Sequence, residues 1–525
     1  MRDDSGTDVR RIQLNSRTGT FIAGMILVAL AWAIYRPDRI RPFFIVDFSE
    51  FIPLLQGGDG FPGRVRSVFE YYASQGRFNA IPYLVLSAKW ELFSWWSPGW
   101  QVPRALLMVA LMVLTFILLR RLGASRLGAI IGASVYLWAP SAADGWVHLT
   151  MAEPLGAAMM LLLAIRAVRF QAARRWEREV LWMASGVVAL VWTKELMTPL
   201  ILLPVSLALI VQPDGRFARP RWSPRDVRLV TFVAAALLIA FIPVVYVFST
   251  AGESAYANMY GVDAQPLSRL IGFWVTGLAP FDLVVRPPDV LWAAALLGFA
   301  TLISFGWPAG FRDAQHRPRA RWLITLALVI PLAGVLAYLP NPWYARFYSL
   351  PYLFGPAILI GMGVTFLQAT RPRGTLFALA VSAPFALQAA LSASSLAVTT
   401  DAVQRRDDHL IAFVADSIDA DSVYFATPNV PPYEWLGMGS SLSRMAGATG
   451  RPWPPLRYEA CETVRKPGRS ARTVTIDLDS LCKLRDEIPH EIVVSFRRID
   501  PARLRVIMDT VQAAVIGPTS RRPVP

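Results

Sequence analysis

The stretch LVTFVAAALLIAFIPVVYVF, residues 229–248, runs for twenty positions without a charged side chain. A helix of about 20 apolar residues matches the roughly 30 Å hydrocarbon core of a lipid bilayer. Comparable apolar runs recur along the 525-residue chain, in which 54% of the residues are hydrophobic and only 17% are charged. A soluble globular protein carries about 25% charged residues. The sequence therefore predicts an all-α polytopic membrane protein.

Hydropathy predicts about eleven transmembrane helices. The first run follows Arg10, Arg11 and Arg17 as a signal sequence would, but no small-residue cleavage site follows it, which predicts an uncleaved anchor. The eleven predicted helices lie near residues 21–35, 103–119, 126–142, 153–168, 179–193, 196–212, 229–248, 288–305, 322–339, 347–369 and 374–394.

The connection between the first two predicted spans, residues 36–102, is long and forms the first outer loop. Within it, residues 80–96 are apolar but are interrupted by Pro82, Lys89 and Glu91. About ten uninterrupted apolar residues suit an interfacial or re-entrant helix better than a full span. The loop is therefore predicted to lie along the membrane surface on interfacial helices.

Basic residues are distributed asymmetrically between the predicted connections. With the N-terminus in the cytoplasm, the cytoplasmic segments contain 23 Lys and Arg, whereas the short outer loops contain only Lys194 and Arg346. This asymmetry follows the positive-inside rule and predicts a cytoplasmic N-terminus and an extracytoplasmic C-terminus. The cytoplasmic segments are 1–20, 120–126, 166–178, 213–228, 306–321 and 371–373, and the outer loops are 143–152, 193–195 and 340–346.

The domain organisation follows from this topology. Residues 1–20 form a cytoplasmic tail, residues 21–394 the transmembrane core, and residues 395–525 a small α/β extracytoplasmic domain with β-prone stretches. Cys461 and Cys482 are the two cysteines of the chain, and both lie in this last region. They would form a disulfide in an oxidising compartment or stay as two unpaired thiols, and the sequence leaves both alternatives open.

Acidic residues flank the predicted spans on the outer side. Asp47 and Glu50 lie three positions apart, so on a helix their carboxylates would share one face, where either could act as a general base. The alternative is that Asp47 and Glu50 are two solvated acids of the loop without a catalytic role. Glu153 precedes Pro154 in the first turn of the fourth predicted helix, where capping of that helix is the alternative role. His148 lies shortly before it.

The two outer cations are exceptions to the charge rule that the rest of the chain obeys. Lys194 lies between the fifth and sixth predicted helices and could snorkel, pair with Glu195, or bind a phosphate. Arg346 precedes a late predicted helix, and a guanidinium binds a phosphodiester through two parallel hydrogen bonds. Either cation alone could serve as an interface anchor, but with Asp47 they suggest a site for a phosphate-containing substrate.

In this order the residues resemble the membrane-embedded GT-C glycosyltransferases, especially protein O-mannosyltransferases and the bacterial lipid A aminoarabinose transferase. The resemblance spans roughly residues 20–370. An acid in the first outer loop is matched by Asp47, and an acid at the start of the fourth helix by Glu153. A Leu-Thr-Lys-Gly-Pro pattern after the fifth helix is matched by Trp192-Thr193-Lys194-Glu195-Leu196, with Glu where Gly is common. An Arg-Tyr-x-x-x-Pro pattern is matched by Arg346-Phe347-Tyr348-Ser349-Leu350-Pro351.

The resemblance implies transfer of a sugar from a polyprenyl-phosphate donor, which enters from the bilayer, to a glycan, lipid or protein acceptor, with inversion. Asp47, or Glu50 in its place, would be the general base, and Lys194 and Arg346 would bind the donor phosphate. Glu153 would position the acceptor or a cation. Some relatives use a divalent cation such as Mg²⁺ or Mn²⁺, and here Asp47 and Glu153 would be its ligands. The residues expected to contact donor or acceptor are Arg77, His148, Glu195 and Tyr344.

Two other functions are compatible with outer-face charges. A polymerase or ligase of lipid-linked glycans usually carries a very large late outer loop, whereas the late loop here is residues 340–346. A lipid flippase or transporter needs polar residues near the bilayer midplane, whereas the ionisable residues here lie at helix ends. Nucleic acid is not an expected partner, because the arginines cluster in short connections between apolar runs. The expected location is the bacterial inner membrane, where membrane lipids are expected partners of the protein.

Overall fold

The computed structural model divides into two compact units, one of residues 1–38 and 68–396 and one of residues 39–67 and 397–525. The residues that the structure describes are 24–33 without 27 and 30, 54–139 without 56, 57, 75 and 95, 142, 145–146, 152–251 without 221, 316–337, 350–370, 422–427, 456–460, 473–478 and 492–496.

Three helices follow one another in the early part of the chain. They are α1 (Gly60–Ser74), α2 (Ala80–Phe93) and α3 (Ser97–Arg121). Helix α2 has 14 residues, a length of about 21 Å at 1.5 Å per residue, which is too short for a perpendicular crossing. Helix α3 continues through Pro103, its seventh residue, which has no backbone N–H to donate to the Gly99 carbonyl oxygen one turn earlier.

The apolar region predicted as one helix at 126–142 is divided. Helix α4 (Arg126–Ala133) ends at Ser134, and the single-turn α5 (Val135–Trp138) follows it directly. The Ser125 hydroxyl accepts a hydrogen bond from the Gly128 backbone N–H and so caps α4. Helix α6 (Ala152–Ala167) then begins one residue before Glu153.

The next region, predicted as two helices around Lys194, contains a 3-10 segment. Helix α7 (Trp176–Thr193) ends at Lys194, and residues Glu195–Ile201 form a 3-10 helix that leads into α8 (Leu202–Ile210). Pro199 lies inside the 3-10 segment and has no backbone N–H to donate. The predicted helix at 196–212 is therefore only partly α-helical.

Three long helices complete the described helical part. Helix α9 (Pro224–Thr250) starts with a capping box in which Ser223 and Asp226 bond to each other's backbone N–H groups. Helices α10 (His316–Ala337) and α11 (Phe354–Thr370) follow, and α11 packs against both α4 and α10. A short 3-10 turn at residues 350–352 precedes α11.

Within the described residues, three helices are long and apolar enough to cross a membrane: Gly99–Arg121, Pro224–Thr250 and Leu350–Gln368. The protein is an integral membrane protein, as the sequence predicts, and the exact number of crossings stays a prediction. The predicted helices at 288–305 and 374–394 lie outside the described residues.

Four described strands form one parallel sheet in the C-terminal part of the chain. They are β1 (Ser422–Thr427), β2 (Leu456–Ala460), β3 (Thr473–Leu478) and β4 (Ile492–Phe496), in the order β2-β1-β3-β4. These four strands lie in the region that the sequence predicts to contain β-prone stretches. That residues 395–525 form one α/β domain, and that it lies outside the membrane, stay predictions.

Candidate active site

Lys194 and Glu153 form a buried ion pair. The Lys194 Nζ donates a hydrogen bond to Glu153 Oε1 at 2.5 Å. The Glu153 side chain is 2% exposed and the Lys194 side chain 15% exposed, so the pair is withdrawn from water. Of the alternatives that the sequence left open for Lys194, the structure shows pairing with an acid, and Glu153 is a bonded partner.

Helix ends bring these two side chains together. Glu153 lies in the first turn of α6, where the positive end of the helix dipole favours a carboxylate. Lys194 is the C-terminal cap of α7, and its backbone N–H closes that helix on the Leu190 carbonyl oxygen. Because α6 packs against α7 in the opposite direction, the start of one helix lies beside the end of the other. The dipole and the pairing together explain a carboxylate so deeply buried.

Glu195 lies in the same charged region. Burial raises the pKa of its carboxyl group above the ordinary value, and the charges of Lys194, Arg77 and Glu153 also act on it. Arg77 and Glu195 also act on Tyr83 of α2, whose pKa is raised by burial. Two residues expected to contact substrate, Arg77 and Glu195, are therefore brought to the Lys194–Glu153 pair.

Aromatic rings surround Arg77. The Tyr72 and Tyr83 rings are stacked with centroids 5.2 Å apart, and the Arg77 guanidinium lies 5.9 Å from the Tyr72 ring centroid. Phe78 makes an edge-on contact with Trp192, near the end of α7, at 5.9 Å. These contacts hold the connection between α1 and α2 against the helix that presents Lys194.

Two further cations join the network from α2 and α3. Arg104 is 2% exposed, its Nε donates to the Gly145 carbonyl oxygen, and the charge of Glu153 acts on it. Lys89 lies 6.0 Å from the Trp100 ring centroid, and burial together with the like charge of Arg104 lowers its pKa to about 8. The charged network defined by Arg77, Lys89, Arg104, Glu153, Lys194 and Glu195 therefore contains four cations and two acids.

The start of α11 is tied to the same region. The Tyr352 hydroxyl donates to the Leu196 carbonyl oxygen at 3.5 Å. Leu196 directly follows Lys194 and Glu195 in the sequence. Helix α10 also packs against the 3-10 segment that follows Lys194. Tyr352 lies six residues after Arg346, so the chain segment that carries Arg346 leads into this contact.

Several predicted site residues lie outside the described part of the chain. Their positions relative to the Lys194–Glu153 pair therefore stay predictions. They are Asp47, Glu50, His148, Tyr344 and Arg346, together with Cys461 and Cys482.

Arg104 and Lys89 belong to the network, and the charges of Arg77 and Glu195 act on Tyr83, but none of these three is predicted from the sequence as a site residue. Arg104 opens the predicted span 103–119, and an ionisable residue at the edge of an apolar helix is the signal that would have identified it. In the sequence, Lys89 only interrupts an apolar run that suits an interfacial helix. Tyr83 gives no sequence signal, because an isolated tyrosine in an apolar helix is usual.

The metal role expected for Glu153 and Asp47 stays a prediction, since Asp47 lies outside the described residues. The Glu153 Oε1 accepts the hydrogen bond from Lys194, so the ammonium already balances part of the charge of this carboxylate. Among the residues that the structure describes, no three His, Cys, Asp or Glu side chains gather into a metal-binding group.

Comparison with known proteins gives structural likenesses only. No protein-family profile matches the sequence, and no curated protein matches it. The chain is similar to ArnT from Cupriavidus metallidurans bound to undecaprenyl phosphate, with 14% identity and a TM-score of 0.47 over 86% of this chain and 91% of that one. It is also similar to arabinofuranosyltransferase AftD from mycobacteria, with 17% identity and a TM-score of 0.46 over 79% of this chain and 30% of that one.

A third likeness is to an oligosaccharyltransferase of Archaeoglobus fulgidus tethered to an acceptor peptide. Identity is 10% and the TM-score 0.43, over 83% of this chain and 63% of that one. All three are GT-C glycosyltransferases. The resemblance noted in the sequence is thus to the same group of proteins. With every TM-score below 0.5, these likenesses assign no donor, acceptor or residue role to this chain.

Proposed function

We propose that this protein is a membrane glycosyltransferase that uses a polyprenyl-phosphate-linked sugar. It transfers the sugar to a glycan, lipid or protein acceptor on the extracytoplasmic face. The observation that carries the proposal is the buried Lys194–Glu153 pair, because it unites two residues predicted for the site within a network that has more cations than acids. Among the described residues of this network the positive charges outnumber the negative ones, which suits an anionic substrate such as a lipid phosphate.

In the proposed reaction, an acceptor hydroxyl attacks the anomeric carbon of the donor sugar. The bond from that carbon to the phosphate oxygen breaks as the new glycosidic bond forms, with inversion. The hydroxyl proton passes to the carboxylate of Asp47, or of Glu50, and the electron pair of the broken bond stays on the phosphate. The leaving phosphate gains negative charge, so cations fixed beforehand lower the barrier.

Lys194 and Arg346 are the proposed ligands of that phosphate. An ammonium group has three donors, so Lys194 can keep its bond to Glu153 and still donate to a phosphate oxygen. Glu153 then fixes the position of the ammonium, in addition to its proposed contact with the acceptor. Arg77, His148, Glu195 and Tyr344 are proposed to contact the sugar or the acceptor.

The experiment compares sugar transfer by the purified wild type and by Asp47→Asn, with a panel of labelled polyprenyl-phosphate sugars. Asp47→Asn should retain donor binding and lose transfer by a factor of about 10² to 10⁴, the usual contribution of a general base. Glu50→Gln is the matched variant, and transfer lost in that variant instead would assign the base to Glu50.

Donor affinity gives the second arm of the same experiment. Lys194→Met and Arg346→Met should each weaken donor binding, whereas Arg216→Met, in an exposed turn where Arg216 pairs with Asp214, should not. Normal donor affinity in both of the first two variants would remove them from the phosphate site. A wild type that binds no donor of the panel would overturn the proposed function in favour of a transporter or a polymerase.

A further inference from the structure

On the side of the charged network formed by α2 and α3, the cations Lys89 and Arg104 outnumber the acids of the network that act on them. Glu153 is the carboxylate that acts on Arg104, and its Oε1 already accepts the bond from Lys194. Lys89 interacts with Arg104, a like charge, and with the Trp100 ring. Arg104 and Lys194 therefore share the Glu153 carboxylate, and Lys89 adds a further positive charge beside Arg104, an arrangement that an added anion would stabilise.

Arg104 has an unused hydrogen-bonding group in this region. Its Nε donates to the Gly145 carbonyl oxygen, whereas its buried Nη2 has no hydrogen-bond partner among the described residues. A guanidinium carries five N–H donors, and leaving one buried and unpaired on a charged group is costly. A ligand with acceptor oxygens would satisfy the Nη2 donor.

Lys89 supplies a second donor on the neighbouring helix. It is half-buried, and its ammonium lies 6.0 Å from the centroid of the Trp100 ring on α3. Burial and the like charge of Arg104 lower its pKa to about 8, which an anion bound between the two cations would reverse. Because Lys89 is less buried than Arg104, it is the cation that an incoming ligand meets first.

The surroundings of Lys89 indicate how such an anion arrives. Helix α2 exposes Leu84, Val85 and Leu92, which are 44%, 40% and 74% exposed. In a membrane protein, exposed apolar side chains on an interfacial helix contact lipid. A ligand that reaches Lys89 along this helix combines an apolar chain with an anionic group.

We propose that Lys89 and Arg104 form a phosphate-binding position for a lipid-linked phosphate, on the α2–α3 side of the network and separate from Lys194 and Arg346. This proposal deepens the proposed function and rests on it, because the proposed function is what makes the bound lipid a substrate. A phosphate offers several acceptor oxygens, so one oxygen can accept from Arg104 Nη2 while another accepts from Lys89. The site therefore takes polyprenyl phosphates rather than neutral lipids.

The test is equilibrium binding of sugar-free polyprenyl phosphate to the purified full-length protein in detergent. The variants are Lys89→Met, which removes the more exposed cation, and Arg104→Lys, which keeps the charge but removes the guanidinium. Each should weaken binding by about ten- to hundred-fold, the usual effect of losing a charged hydrogen bond. Arg126→Met, an exposed arginine at the start of α4, is the matched control and should bind as the wild type does.

Thermal unfolding of each variant separates loss of the site from loss of the fold. Wild-type affinity in a folded Lys89→Met protein would overturn the proposal. Inorganic phosphate is the second ligand, and an affinity equal to that of polyprenyl phosphate would overturn the assignment to a lipid. Binding that depends on Lys89 without any sugar transfer by the wild type would support this site and contradict the proposed function. Sugar transfer by the wild type, together with lipid binding that depends on Lys194 but not on Lys89 or Arg104, would support the proposed function and contradict this site.

Discussion

At the scale of single residues, the Lys194–Glu153 pair has the largest energetic consequence. Both charges leave water on folding, and the hydrogen bond of 2.5 Å between them offsets part of the desolvation cost. A pair of this kind contributes little net stability compared with two well-packed apolar residues. Removing one partner is different, because the other charge is then buried without compensation.

Replacing one partner should therefore destabilise the protein more than replacing both. Glu153→Gln leaves the Lys194 ammonium without its carboxylate and should lower the free energy of unfolding by about 3–5 kcal/mol. Lys194→Met should have an effect of similar size, and the double variant should recover a substantial part of the loss. Thermal unfolding midpoints of the four proteins in one detergent measure this cycle.

The exposed pair Arg216–Asp214 provides the control for that cycle. Its side chains are 58% and 55% exposed, and exposed pairs contribute little. Arg216→Met should leave the unfolding midpoint close to that of the wild type. Additive losses in the Glu153–Lys194 double variant would contradict the coupling seen in the structure.

Sequence reasoning identified the two partners of this pair but not the pairing. Lys194 and Glu153 were predicted because each is an ionisable residue at the end of an apolar helix. Which acid Lys194 contacts depends on how α6 packs against α7, and no local pattern encodes that packing. Arg104 is a similar case: its place at the edge of an apolar helix is visible in the sequence, but its interaction with Glu153 depends on how α3 packs against α6.

At the scale of helices, the crossing of α4 and α11 depends on small residues. A Cβ atom at Gly128 would collide with the Gly361 carbonyl oxygen and with the Thr365 hydroxyl. The Ser125 backbone N–H donates to Thr365 Oγ1 at 2.8 Å, so polar bonds hold the same crossing. Close approach of the two backbones is therefore necessary for this contact.

Gly128→Ala should destabilise the protein by about 1–3 kcal/mol, because the added methyl group overpacks the crossing. Gly24→Ala is the matched control, since Gly24 is an exposed helical glycine with no atom within 4 Å of an added Cβ. The control should be neutral or slightly stabilising, because alanine favours a helix more than glycine does. An unfolding midpoint of Gly128→Ala equal to that of the control would show that the crossing tolerates a wider separation.

Helix positions were largely predictable from hydropathy, whereas breaks inside the helices were not. The predicted helix at 179–193 matches α7 to within three residues. The predicted helix at 126–142 is broken at Ser134, and the one at 196–212 begins as a 3-10 segment. Hydropathy reports burial in an apolar environment, and a serine or a proline within an apolar run changes that signal little while changing the backbone.

At the scale of the whole molecule, the arginine distribution predicts which connections face the cytoplasm. The turn at residues 212–217 belongs to a basic connection, whereas the turn between α2 and α3 belongs to the first outer loop. Each turn has an exposed position suitable for labelling. Asp214 has a side chain 55% exposed, and Trp96 is 60% exposed.

Single cysteines at these two positions should differ in their reaction with a membrane-impermeant maleimide. In a background with Cys461 and Cys482 replaced by serine, Trp96→Cys should be labelled in intact cells, because its turn is predicted to be extracytoplasmic. Asp214→Cys should be labelled only after the membrane is permeabilised. The opposite pattern would reverse the topology and place the charged network on the cytoplasmic face.

The 3-10 segment Glu195–Ile201 determines in which direction Glu195 points relative to α8. A 3-10 helix turns each residue by about 120° and an α-helix by about 100°, so seven residues differ by about 140° in total rotation. The segment is also longer than most 3-10 runs, which rarely exceed three or four residues. If residues 195–201 formed a continuous α-helix with α8, the Glu195 side chain would therefore point in a direction rotated by more than a third of a turn about the helix axis. The winding of the backbone after Lys194, and not only the identity of the residues, decides which charges face one another.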